Sequence, residues 1–97
     1  MITLMLWEVD ESLGPQDQEE RVKQMMSNLE SVKTAVDNGN LKMWGMSPGG
    51  GYGYAIAEAD GKEMLAMCSQ YMPQIKFKVK PMLSVDEVID VMKGMQQ

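Results

Sequence analysis

Apolar residues alternate along Ile2 to Asp10 in two registers at once. Ile2, Leu4 and Leu6 point one way, and Met5, Trp7 and Val9 point the other. Both registers are apolar, which predicts a central strand covered on both sides. The run Asp10-Glu11-Ser12-Leu13-Gly14-Pro15 ends it. The period then changes to the helical value: Val22, Met25, Met26, Leu29, Val32 and Val36 fall on one stripe. Asp17 and Glu20 open that helix as a capping box, and Asn38-Gly39 closes it. At roughly 21 residues and about 31 Å it is long for a small sandwich.

Leu41 to Met46 reads as a second strand and Tyr52 to Ala57 as a third, joined by the glycine-rich turn Ser47-Pro48-Gly49-Gly50-Gly51. Tyr52, Tyr54 and Ile56 share one face of the third strand. Gly53, Ala55 and Ala57 share the other, and such small residues suit a face on which a helix lies close. Asp60 with Glu63 caps a second helix carrying Met64, Leu65, Cys68, Tyr71 and Met72, which Pro73 stops. Ile75, Phe77 and Val79 alternate with Lys76, Lys78 and Lys80 in a half-buried fourth strand. Ser84 with Glu87 starts a last helix bearing Val85, Val88, Ile89 and Met92. The order βαββαβ with an extra C-terminal helix predicts an α+β, ferredoxin-like sandwich, one domain over residues 1–97.

Length and charge narrow the picture. A chain of 97 residues buries a smaller share of its surface than a larger domain does, so a partner or a second copy often helps. The net charge of −5 repels phosphate backbones and anionic lipid. There is no histidine, and with it go the commonest general base and the commonest metal ligand. No apolar run approaches a membrane span, and Met1 to Val9 lacks a basic leader and a cleavage site, so a strand is the better reading. With one cysteine, Cys68, and no export signal, a reducing cytoplasm is expected.

The stretch Tyr54-Ala55-Ile56-Ala57-Glu58-Ala59-Asp60, then a helix, then Ile75, Phe77 and Val79 closing on Pro81-Met82-Leu83, resembles an uncharacterised group of small bacterial and archaeal proteins in the dimeric α/β-barrel superfamily. Trp44 stands where that group carries a tryptophan in its second strand. The resemblance implies a homodimer whose two sheets face each other. The wider superfamily includes muconolactone isomerases and cofactor-independent monooxygenases. The group itself carries no known activity, so it implies no catalytic residue.

Several constellations invite chemistry, and each has a plainer explanation. Tyr52 and Tyr54 on a central strand are similar to the aromatic signature of RNA-recognition motifs. The leading basic residue is missing, however, and the net charge has the wrong sign. Lys76, Lys78 and Lys80 could bind an anion, yet lysines also protect an edge strand from pairing. The twelve methionines could hold Cu(I), but core filling explains them better, and no metal or cofactor is expected. Cys68 lies among apolar neighbours with no second thiol or histidine to activate it. Glu58, ending an apolar strand, is the one carboxylate that burial could turn into a base.

Two functions follow. The first is a homodimeric assembly or interaction domain without evident catalytic machinery. The alternative is a pocket on the sheet face, lined by Trp7, Trp44, Tyr52 and Tyr54 with Glu58 as its only acid or base, that binds a small apolar or aromatic molecule or converts it as a cofactor-independent enzyme.

Overall fold

Four strands and three helices follow one another as β1 (Ile2–Val9), α1 (Gln18–Asp37), β2 (Leu41–Met46), β3 (Tyr52–Glu58), α2 (Gly61–Ser69), β4 (Ile75–Met82) and α3 (Val85–Met95) in a computed structural model describing residues 2–96. The strands form one antiparallel sheet in the order β2-β3-β1-β4. This is the ferredoxin-like α+β arrangement, with α3 added at its end.

β1 is central, as its apolar character predicts, but the expected cover on both sides is corrected. Met5 and Trp7, on the helix side, are 4% and 8% exposed, whereas Leu6 on the reverse side is 38% exposed. The register shows what shares each face. Trp7 pairs with Gly53 on β3 and Phe77 on β4, while Leu6 pairs with Tyr54 and Lys78. The small residues of β3 lie on the helix side, and Ala55 and Ala57 are buried there. Thr3 is buried beside them, and its hydroxyl has no hydrogen-bond partner.

The helix starts behave as the capping residues predict. Asp17, Asp60 and Ser84 each accept a hydrogen bond from the backbone N–H three residues on, and the Ser84 backbone N–H in turn donates to the Glu87 carboxylate. Four packing expectations need correction. α1 buries no residue, and Val22, Met25, Met26 and Val36 are exposed. α2 ends at Ser69, so Tyr71 and Met72 lie beyond it, and Leu65 faces solvent. Of the methionines read as core filler, Met5 and Met64 belong to the buried core, while Met25, Met26, Met43, Met46, Met72, Met82, Met92 and Met95 are exposed.

The fourth correction is α3. It buries no residue and projects away from the sandwich. The chain spans 61 × 26 × 25 Å with a radius of gyration of 16.3 Å, where a compact domain of this length has about 12–13 Å. The apolar stripe of Val85, Val88, Ile89 and Met92 is exposed.

Candidate functional site

The sheet separates the five pocket residues expected from the sequence. Trp7 and Trp44 stand on the helix side. Tyr52, Tyr54 and Glu58 belong to the other face of β3, as the alternation of that strand requires. One pocket holding all five is therefore not what the fold builds. The structure has two candidate surfaces, one on each side of the sheet.

On the helix side, Trp7 lies over Gly53, where a Cβ would sit 2.6 Å from its ring. Only glycine leaves the indole room to lie flat, and its N–H donates to the Tyr54 carbonyl at 3.3 Å. Trp44 arrives from β2 and stacks on it, ring centroids 5.4 Å apart and planes 13° apart. Beyond β1, Tyr71 and Phe77 form a tilted pair 6.4 Å apart. Between these aromatics and α1 opens a cleft of about 630 Å³, whose lining is largely apolar and includes Met5, Leu29, Val32, Met67 and Cys68. Sequence reasoning missed Phe77 as a cleft residue, although its alternation places it on this face, opposite Trp7.

The cleft offers little acid or base. Burial pushes the Cys68 thiol and the Tyr71 phenol above their ordinary values, so both stay neutral near pH 7. The Cys68 thiol also points its hydrogen to the Met5 sulfur at 3.7 Å. That is the inert, buried cysteine its apolar neighbours predict. Among the described residues, no group of three or more histidine, cysteine, aspartate or glutamate side chains is placed to hold a metal ion.

The other face is open. Leu4 and Leu6 run down its middle, flanked by Ile56 and Tyr54 on one side and by Lys80 and Lys78 on the other. Tyr54 lies across Gly45, where a Cβ would collide with the phenol ring. β4 is one of the two edge strands, and its lysines stand on this face of it. Lys76 pairs with Asp10 at 3.4 Å, and Asp10 is held below its ordinary value first by the Ser12 hydroxyl and only then by the lysine. Glu8 and Glu58 lie among these residues, and Glu58 is exposed, so the burial that would make it a base is absent. Two exposed carboxylates between tyrosines and lysines suit a nucleic-acid strand poorly.

Among the described residues, no helix is long and apolar enough to cross a membrane. No curated protein matches the chain. A family does match, over residues 3–96, and since that is nearly the whole sequence the chain belongs to it: the family described as a domain of unknown function, DUF3303.

Proposed function

We propose that this protein is an assembly domain that works as a homodimer, two copies pairing through the open faces of their sheets in the manner of a dimeric α/β barrel. The observation that carries this reading is the apolar band of Leu4, Tyr54 and Ile56, each half-buried, and exposed Leu6, on a sheet whose other side is occupied. Four strands about 4.8 Å apart and about 20 Å long present a projected ~400 Å². That is within the largest patch a lone monomer leaves open and about half of what each partner buries in a standard interface. The stripe of α3, about 16 Å long, can supply much of the remainder. Its Asp86, Glu87 and Asp90 are opposite in sign to the lysine row beside the band. A second copy therefore matches both the apolar and the charged parts of the surface. The single unactivated thiol suits a reducing compartment such as the cytoplasm.

Sedimentation equilibrium tests the reading. The expected mass is that of a dimer, and Leu6→Glu, which places a charge in the band, should shift the population toward folded monomer. A monomeric wild-type chain at tens of micromolar would refute it.

A further inference from the structure

The helix side of the sheet carries a feature that pairing through the open face leaves untouched. Trp44 on Trp7 makes a stack two rings deep. The positions beside it on β3 are Gly53, Ala55 and Ala57. A tall pair next to small side chains props a helix away from the sheet in one place and leaves space alongside. At the start of α1 the Arg21 Nε donates to the Pro15 carbonyl at 2.6 Å, which ties the helix to the segment that enters it. Toward its other end, Val32 and Ala35 pack on the core. Leu29 thus lines the cleft without being buried.

We propose that this cleft binds an uncharged, planar aromatic molecule of a few fused rings, stacked against Trp44. The volume of about 630 Å³ is in the range of small-molecule sites. The side-chain donor of Trp7 is taken by the Tyr54 carbonyl, so the lower ring of the stack offers π surface with no unmet hydrogen bond. Trp44 is the more exposed member of the stack. Met67 supplies a thioether that can fit itself to a ring edge. The side-chain amides of Asn28 and Gln74 are polar groups on the lining that can orient a hydroxyl or carbonyl substituent. The ionisable groups at the end near the start of α1, Glu11 and Arg21, have opposite signs and select no net charge.

The test is titration of the full chain with N-phenyl-1-naphthylamine, a neutral aromatic probe, read by the probe's own emission. Saturable binding at one probe per chain is expected. Trp44→Ala should weaken it about tenfold. Ala35→Phe, which fills the cleft from α1 and removes no packing, should abolish it, and this variant decides if Trp44→Ala does not fold. Leu6→Glu should leave probe affinity unchanged, so a failure of pairing and a failure of this site are separable. An absence of saturable binding, binding indifferent to Ala35→Phe, or binding lost with Leu6→Glu would each overturn the proposal.

Discussion

The two faces of this sheet use the same device to opposite ends. On each, an aromatic ring lies flat over a glycine of the neighbouring strand: Trp7 over Gly53 on the helix side, Tyr54 over Gly45 on the open side. Under the helices a second ring is added, and the stack becomes the wall of a cleft. On the open side the ring is left bare among leucines and lysines. A glycine in a strand thus makes a seat for an aromatic. Whether that seat belongs to an interior or to a docking surface depends on what the chain brings over it.

The largest test of this contrast uses neighbouring residues of β1. Met5→Ala removes a fully packed side chain and should cost about 2–5 kcal/mol in a urea titration. Leu6→Ala, one position along on the other face, should cost only about 1 kcal/mol in the monomer. If copies pair, the Leu6 penalty grows and its size depends on protein concentration. Equal, concentration-independent losses at both positions would erase the distinction between the faces.

The glycines come next. A Cβ at Gly53 meets the Trp7 ring and the Gly45 carbonyl oxygen, and neither can swing aside. Gly53→Ala should cost about 2–3 kcal/mol. A Cβ at Gly45 meets only the Tyr54 ring, which has open space to move into, so Gly45→Ala should cost under about 1 kcal/mol. Thermal midpoints in the reverse order would show that the open-face ring is the more tightly held.

The last test is at α3, which belongs to neither face. Ser84→Ala removes the cap and should cost the helix about 1 kcal/mol, read as lost helicity with the sheet signal unchanged. In the parent chain the Ser84 backbone N–H, and then its hydroxyl, lower the Glu87 carboxyl from its ordinary 4.5. A lowered folded value means stability that is present above the unfolded value and lost as pH falls through the folded one. Helicity of α3 should therefore drop on acidification below about pH 4.5. Ser84→Ala keeps the backbone N–H and removes only the hydroxyl, so it should weaken that dependence without abolishing it.

Most of the architecture is legible in the residues because strand alternation and capping are local. Gly53, Ala55 and Ala57 mark the helix side of β3 without any coordinates, and Ser84 with Glu87 marks the start of α3. Depth is not local. The stripe of α1 has the right period, yet α1 buries no residue and a cleft opens between it and the sheet, and nothing in the sequence of α1 records that. The stripe of α3 has the same kind of pattern and reads as core-facing, although the chain offers it no core. The expected pocket mixed residues from both faces because aromatic identity was weighed above register: Trp7 and Tyr54 are adjacent across β1 and β3 only through the plane of the sheet.

Both tryptophans of the chain stand in one stack, so the near-ultraviolet spectrum of this protein has a single address. At 5.4 Å and 13° the two indoles couple as one chromophore, and their emission reports on one wall of one cleft. The open face carries tyrosines alone and is nearly silent in that emission. Events on the two sides of the sheet can therefore be followed in the unlabelled protein at the same time: indole spectra for what enters beneath α1, and mass or diffusion for what covers the other side.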